Sequence, residues 1–142
     1  RRVLFRSGHS VVRSRTDMHD PAPVGDRAED ARHYGCEVFI SLHCNAADGK
    51  ANGTETFYRG AGNKALAERC NSAVVKALGT KNRGVKTESQ SQHARLAVLN
   101  FPKACLIELG FIDHAGDRAA MLDKTKMLAA CEALCDAIAG KS

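Results

Sequence analysis

Aromatic side chains are scarce in this 142-residue chain: only 5% of its residues are aromatic, and tryptophan is absent. Proteins that bind single-stranded nucleic acid usually stack bases on aromatic side chains along a basic groove. The 21 Lys and Arg residues give a net charge of +5, but they are scattered along the chain rather than grouped. We therefore expect no nucleic-acid partner. A domain that binds nucleic acid through charge alone is the weakest of our hypotheses.

Long hydrophobic runs and paired cysteine motifs are also missing. No apolar segment approaches the roughly 20 residues of a transmembrane helix, so we expect no transmembrane segment. No two cysteines form a C-x-x-C pair, which removes the usual signature of zinc ribbons and thioredoxin-like redox sites. We interpret most cysteines as small, reduced residues in core strands or on the apolar faces of helices. The six are Cys36, Cys44, Cys70, Cys105, Cys131 and Cys135.

What is present is the composition of a folded domain, with 44% hydrophobic and 26% charged residues. Helical spacing of apolar residues predicts helices at 27–34 and 63–78, with Asp26 and Asn63 as candidate N-caps. A last helical region carries apolar positions from 121 to 138. An interruption at Asp123 or Thr125 would divide that region into two helices.

Strand patterns alternate with these helices. Short strands are predicted at residues 10–13, 53–58 and 104–110, with a further strand or edge segment at 96–99. The polar segments 16–25 and 81–92 are predicted to be loops. This alternation is typical of an α/β domain. The fold that we expect is a mixed, mostly parallel sheet flanked by helices.

One apolar run leads directly into a histidine. Val38, Phe39, Ile40 and Leu42 make up most of the five residues before His43. A short run that is apolar on both faces is typical of a strand inside a parallel sheet, although a buried helix segment shows the same pattern. Ligands of open α/β sheets bind outside the carboxyl ends of the strands, where His43 would stand. A neutral imidazole there binds a metal or transfers a proton. The alternative is a core histidine satisfied by one hydrogen bond.

A carboxylate occupies a comparable place in the segment 104–110. Glu108 stands among Cys105, Leu106, Ile107 and Leu109, which together predict a buried strand. A carboxylate buried there loses hydration and must find a partner or be neutralised. If this strand and the strand of His43 are parallel neighbours, both groups meet in one crevice. The alternative is a structural glutamate that accepts hydrogen bonds from loop amides.

Together the two groups favour metal-assisted hydrolysis. A zinc ion held by imidazole and carboxylate groups lowers the pKa of its bound water to about 7. A nearby carboxylate whose own pKa is raised then takes the proton of that water and passes it to a leaving amine. In this hypothesis His43 is a zinc ligand and Glu108 is the base.

Six segments, in order along the chain, resemble motifs of the zinc-dependent N-acetylmuramoyl-L-alanine amidases of type three. They are 10–17 (SVVRSRTD, similar to V-x-x-T-R-x-x-D), 26–28 with the helix that follows (R-x-x-x-A), 40–46 (ISLHCNA, similar to S-I-H-x-N-A), 53–58 (GTETFY, similar to G-x-E-x-x-Y), 83–86 (RGVK) and 108–112 (ELGFI, similar to E-x-G-F-I). Each motif alone is weak, but six in this order are specific. The resemblance covers about residues 8 to 140.

The resemblance implies cleavage of the amide between N-acetylmuramic acid and L-alanine in peptidoglycan, with zinc as cofactor. It implies that His43 is a zinc ligand and that Glu108 is the catalytic carboxylate. Asn45 and Glu55 match motif positions, and we expect them to shape or orient the site. The expected site of action is the cell wall or periplasm. The parent protein would be a bacterial autolysin or a phage endolysin released from the cytoplasm.

The chain also departs from the family pattern. The family's other two zinc ligands are a His in a G-H-G-G segment and a Glu on the following helix, and both would precede this chain. His9 is not a counterpart, because the residues after it resemble a later strand. We therefore expect a non-native or disordered lead at 1–7, and at 8–140 a partial catalytic domain that lacks the family's first strand and helix.

Four further histidines follow His9 outside the matched motifs, and we interpret each as a solvated surface residue. They are His19, His33, His93 and His114. With one zinc ligand assigned, a catalytically incomplete relative that binds peptidoglycan through the same groove is the alternative to an active amidase.

Overall fold

The computed structural model describes residues 2–4, 10–15, 19 and 23–141. The strands within them are β1 (Arg2–Leu4), β2 (Ser10–Val12), β3 (Phe39–Asn45), β4 (Thr54–Tyr58), β5 (Asn82–Thr87) and β6 (Ala104–Phe111). The helices are α1 (Arg27–His33), α2 (Lys64–Leu78), α3 (Ala115–Leu122) and α4 (Lys124–Ala139). Short 3-10 helices lie at Ala61–Asn63, Glu88–Gln90 and Ala97–Asn100.

The central sheet has the strand order β3-β6-β4-β5. β3 is parallel to β6 and β4 is parallel to β5, whereas β4 and β6 are antiparallel. This arrangement confirms the mixed, mostly parallel sheet flanked by helices. The strands β1 and β2 form a separate antiparallel pair.

One face of the sheet is covered by α2 and α4. Cys70, Val74 and Leu78 recur every four residues along α2 and are fully buried against Ile107 of β6 and Leu134 of α4. This spacing places them on one stripe of the helix, and burial of that stripe stabilises the layer. The helix ends at Gly79, whose positive φ of 70° continues the chain in the left-handed conformation that glycine tolerates.

The opposite face is covered by α1 and the turn before β6. Ala31 of α1 packs with Leu99 and Phe101 of that turn, and the same cluster includes Phe57 of β4 and Leu106 of β6. Side chains on β6 therefore meet a hydrophobic layer on each side, which explains why the strand is apolar at almost every position. This second face also carries the polar residues of the candidate site.

Two predictions about local structure are wrong. Residues 82–87, expected in a polar loop, form β5, and residues 97–100, expected as a strand or edge segment, form a 3-10 helix. β5 is an edge strand of the central sheet whose residues are exposed or half-buried, so it lacks the apolar signal of an inner strand. Its pairing with β4 determines its conformation.

The predicted N-cap residues differ in whether their side chains make a capping hydrogen bond. Asp123 divides the last helical region as predicted, because its Oδ1 accepts hydrogen bonds from the amides of Thr125 and Lys126. Asn63 and Asp26 occupy N-cap positions, but neither side chain makes a capping hydrogen bond. The Nδ2 of Asn63 donates instead to the carbonyl oxygen of Arg59 at 2.9 Å.

The cysteines divide between core and surface. Cys70 and Cys105 are fully buried, as predicted for most of the six. Cys44 and Cys131 are exposed, so the interpretation as core residues is wrong for these two. No helix within the described ranges combines the length and the apolar character needed to cross a membrane.

Some expectations fall on residues outside the described ranges. These are His9, Asp17, and parts of the predicted lead at 1–7 and of the predicted loop at 16–25. The described part of the lead, Arg2–Leu4, forms β1. The boundary between a lead at 1–7 and a domain at 8–140 stays a prediction.

Candidate active site

Three candidate residues form one row across the sheet. His43 on β3 is the register partner of Glu108 on β6, and Glu108 is in turn the register partner of Glu55 on β4. Residues that are partners in neighbouring strands point to the same face of a sheet. The structure therefore brings together the histidine and the two carboxylates that the sequence singled out.

A cleft of about 340 Å³ opens above this row. His43, Glu108 and Glu55 lie at its base with the apolar side chains of Phe57 and Leu106. The apolar part of the base continues into the hydrophobic layer on this face of the sheet. A substrate group in the cleft would therefore meet an imidazole and two carboxylates on a partly water-excluding floor.

Glu108 is the carboxylate with the most perturbed ionisation. Burial and, second, the negative charge of Glu55 raise the pKa of Glu108 to about 7. Its buried Oε2 has no hydrogen-bond partner among the described residues. Such a carboxyl group is suited to take up and release a proton near neutral pH, because neither protonation state is strongly favoured there.

His43 has the opposite shift. Burial, followed by the positive charges of Arg27 and Arg15, lowers the pKa of the imidazole below its ordinary value. Its Nε2 lies 3.1 Å from the hydroxyl oxygen of Ser41, two residues earlier on the same face of β3. The ring is therefore neutral at pH 7, which is the state in which histidine binds a metal.

Glu55 is a buried anion held by two cations. Its Oε2 accepts hydrogen bonds from Arg83 Nε at 2.7 Å and from Lys86 Nζ at 2.6 Å. Burial disfavours the charged form, but the hydrogen bonds and charges of Lys86 and Arg83 outweigh it and lower the pKa of Glu55. Glu55 thus stays charged at neutral pH, and its charge helps to keep a proton on Glu108.

Asn45 connects Glu55 to the end of β3. Its Nδ2 donates to Glu55 Oε1 at 3.2 Å, and its Oδ1 accepts from the amide of Ala46 at 2.9 Å. The side chain therefore fixes the turn that follows His43 and orients the neighbouring carboxylate. Glu55 lies in the row and Asn45 beside it, and the supporting roles expected for them stay predictions.

Sequence reasoning assigned no role to Arg83, Lys86 or Asp117. The first two are the cations of the matched RGVK segment, and that motif match was the available signal. Asp117 is buried in α3, and its Oδ2 accepts from the amides of Gly53 at 2.7 Å and Phe111 at 2.9 Å. It thereby joins the start of β4 to the end of β6, and no local pattern indicates that contact.

The segment from Glu88 to Leu96 forms one wall of the cleft. Gln90, Ser91, Gln92 and His93 line the cleft from this side. His93 is exposed, but it faces the cleft that holds His43 and Glu108, so its interpretation as an unrelated surface histidine is incomplete. Recognition of residues 82–87 as an edge strand would have placed residues 88–93 near the strand ends.

The other three histidines lie elsewhere. His19 and His33 are exposed, as expected. His114 is a helix cap rather than a solvated residue, because its Nδ1 accepts the amide hydrogen of Asp117 at the start of α3. None of the three lines the cleft.

The described residues do not complete a zinc site. The neutral imidazole of His43 and the unpartnered oxygen of Glu108 are donors of the kind that zinc accepts. However, the part of the chain that the structure describes contains no group of three His, Cys, Asp or Glu residues arranged to hold a metal ion. Catalytic zinc usually has three protein ligands, so these residues supply only part of such a set.

Comparison with known proteins gives a consistent family match. A family model described as N-acetylmuramoyl-L-alanine amidase matches residues 1–140. The chain is 34% identical over 103 residues to the N-acetylmuramoyl-L-alanine amidase LytC of Bacillus subtilis. The aligned region covers 68% of this chain and 20% of LytC. It is 33% identical over 118 residues to the uncharacterized protein YqiI of the same organism, covering 80% of this chain and 55% of YqiI. The chain thus spans about half or less of the length of these relatives.

Solved structures show the same fold. The catalytic domain of CwlV, an N-acetylmuramoyl-L-alanine amidase from Bacillus (Paenibacillus) polymyxa var. colistinus, superposes with a TM-score of 0.77 at 24% identity. That match covers 89% of this chain and 69% of the CwlV domain. Cwp6 from Clostridium difficile gives a TM-score of 0.79 at 28% identity, covering 94% of this chain and 22% of Cwp6.

Proposed function

Because this chain belongs to the N-acetylmuramoyl-L-alanine amidase family, we propose that it hydrolyses the amide bond between N-acetylmuramic acid and L-alanine in peptidoglycan. The observation that carries the proposal is the row of His43 and Glu108 at the base of the cleft, on adjacent parallel strands. Neither the imidazole nor the carboxylate is tied up in an ion pair with another side chain within the described ranges. Both are therefore available to a substrate.

Glu108 has the role of proton carrier in this proposal. Its carboxylate takes a proton from the attacking water as the water oxygen bonds to the carbonyl carbon of the amide. It then delivers the proton to the nitrogen of L-alanine as the carbon–nitrogen bond breaks. The pKa of about 7 supports both steps, because a group near its pKa accepts and donates with similar ease.

We propose zinc as the cofactor and His43 as one of its ligands. A zinc ion supplies a bound water of lowered pKa and polarises a carbonyl oxygen. The described residues leave the ligand set incomplete, so we assign only His43 to the metal. Asn45 and Glu55 act around it by orienting the end of β3 and by keeping Glu108 partly protonated.

The cell wall is the proposed site of action, since peptidoglycan is the substrate. A relative in Bacillus anthracis, 34% identical over 116 residues and named as an uncharacterized cell wall amidase, supports this proposal. An autolysin or an endolysin would both act there. The alternative function is binding of peptidoglycan without cleavage, which the incomplete ligand set among the described residues favours.

The test measures release of new L-alanine amino termini from purified peptidoglycan in the presence of zinc. The Glu108→Gln variant should lose at least about a hundredfold in rate, because removing a general base usually costs about 10²–10⁴-fold. The matched control is Glu37→Gln, since Glu37 is exposed and does not line the cleft. Activity of Glu108→Gln equal to that of the control would rule out the proposed role.

The same assay separates the two candidate functions. An amidase loses activity on dialysis against a chelator and regains it when zinc is restored. A binding relative would instead sediment with peptidoglycan and release no amino termini under any of these conditions.

A further inference from the structure

We propose that residues 88–96, here called the wall loop, form the subsite for the peptide stem of the muropeptide, with His93 and Gln92 as residues that determine specificity. The inference rests on the proposed function and extends it to the part of the substrate beyond the scissile bond. His93 and Gln92 line the same cleft as His43 and Glu108 but belong to a different segment. The wall loop and the row of His43, Glu108 and Glu55 thus line one cavity.

The chemistry of the wall loop fits a peptide. Gln92 presents an amide donor and an amide acceptor, which match the carbonyl and the N–H of a peptide backbone. The Oε1 of Gln90 already accepts from the amide of Thr87, so Gln90 offers a ligand only its NH2 donor. Ser91 and His93 add a hydroxyl and an imidazole. Sugar rings, by contrast, are commonly bound by stacking on aromatic faces, and among the described residues Phe57, which is 5% exposed, is the only Phe or Tyr that lines this cleft.

Two cations lie behind Glu55, beside the cleft, and attract an acidic ligand at longer range. β5, which leads directly into the wall loop, contributes Arg83 and Lys86, and these two cations share the single charge of Glu55. Both side chains stay more than a quarter exposed and together carry one charge more than Glu55, but neither of them lines the cleft, whereas Glu108 does. The peptide stem carries free carboxylates, whereas the glycan on the other side of the scissile amide is largely uncharged.

The wall loop is held in place from outside the cleft. Arg59 donates from Nε and Nη2 to the two carboxylate oxygens of Glu88, and Glu88 Oε2 also accepts from the amide of Leu96 at 3.2 Å. At the start of the wall loop, Thr87 and Gln90 form a capping box. Both ends are therefore anchored, while residues between them face the cleft. An anchored loop loses less conformational entropy on binding than a free one, which favours a recognition surface.

The experiment compares KM and kcat for three substrates. They are N-acetylmuramoyl-L-alanine, the same compound extended by D-isoglutamate, and the same compound extended by a second sugar. The wild-type protein should gain affinity from the added peptide residue. His93→Ala and Gln92→Ala should each raise KM for the peptide-extended substrate by about fivefold to tenfold, with kcat nearly unchanged, as expected for loss of one hydrogen bond in binding.

His33→Ala is the matched control, because His33 is an exposed histidine outside the cleft. It should leave all three KM values as in the wild type. Equal KM values in His93→Ala and His33→Ala would overturn the proposal. So would a KM increase in His93→Ala that is confined to the sugar-extended substrate.

A binding measurement tests the subsite even if the protein has no amidase activity. If the wild-type protein cleaves none of the substrates, binding of the peptide-extended compound is measured by calorimetry in Glu108→Gln protein. Weaker binding after addition of His93→Ala, but not of His33→Ala, would support the subsite without catalysis. No difference between the two would overturn it.

Discussion

At the scale of single residues, ionisation in the cleft depends on Glu55. The two carboxylates in the row would repel each other if both were charged, and in the structure Arg83 and Lys86 pair with Glu55 alone. Glu108, left without a cation, has a raised pKa, whereas the pKa of Glu55 is lowered. Two carboxylates on adjacent strands are thereby divided into one permanent anion and one proton carrier.

The Glu55→Gln variant tests this division through the pH dependence of stability. The pKa of Glu55 is lower in the folded protein than its ordinary value, so its ionisation stabilises the fold. That contribution is fully present above the unfolded pKa of about 4.3 and is lost as the pH falls through the folded value. We expect Glu55→Gln to cost about 2 kcal/mol in the free energy of unfolding at pH 7, measured by urea denaturation.

The difference between wild type and Glu55→Gln should then shrink as the pH falls below about 4. Glu132→Gln is the control, because Glu132 is exposed on α4 and should show little difference at any pH. A gap between wild type and Glu55→Gln that stays constant down to pH 3 would contradict the assignment of the charge.

At the scale of elements, the wall loop shows how a polar segment becomes part of a site. Its residues have no apolar periodicity, and its place at the cleft follows from β5, to which it is joined. The ion pair between Arg59 and Glu88 then fixes it, with side chains that are 31% and 16% exposed. Partial burial makes such a pair worth more than one on the open surface.

Glu88→Gln should loosen the wall loop while leaving the sheet intact. Removing the charge weakens the bonds from Arg59 and from the amide of Leu96, so amide hydrogens at 89–96 should exchange about tenfold faster. Hydrogen exchange followed by mass spectrometry measures this directly. Glu68→Gln is the control, because its contact with Lys64 joins two side chains that are more than half exposed. Unchanged exchange at 89–96 would show that the capping box alone holds the loop.

At the scale of the whole molecule, two hydrophobic layers on opposite faces of the sheet hold the row in position. The layer beneath α2 and α4 is closed by side chains such as Leu134 and Ile107. It lies on the face away from the cleft, so it sets the position of β6 without contacting a substrate. One face of β6 thus packs in the hydrophobic layer beneath α2 and α4, and the other face carries Glu108 at the cleft.

Leu134→Ala should destabilise the fold by about 2–5 kcal/mol, because it leaves a cavity in a packed layer. Leu128→Ala on the same helix should cost less than about 0.5 kcal/mol, since Leu128 is 62% exposed. Thermal and urea unfolding measure both values. Similar losses in the two variants would mean that α4 does not pack as described.

Much of this molecule was predictable from local pattern. The strands that contain His43 and Glu108, the two long helices, the break at Asp123 and the α/β architecture all follow from apolar periodicity and turn residues. The reason is that buried strands and amphipathic helices must expose one pattern to the core and another to water. His43 and Glu108 were recognisable because a polar group inside an apolar run needs a specific partner or task.

Other features were decided only by the tertiary structure. β5 is polar and becomes a strand because it pairs with β4 at the edge of the sheet. The cations on Glu55, the contact of Asp117 with two strands, and the approach of His93 to the cleft all join residues far apart in the chain. Local periodicity carries no information about such contacts, because they depend on strand order and register. The sequence by itself determined which groups were chemically unusual, and the fold determined which of them meet.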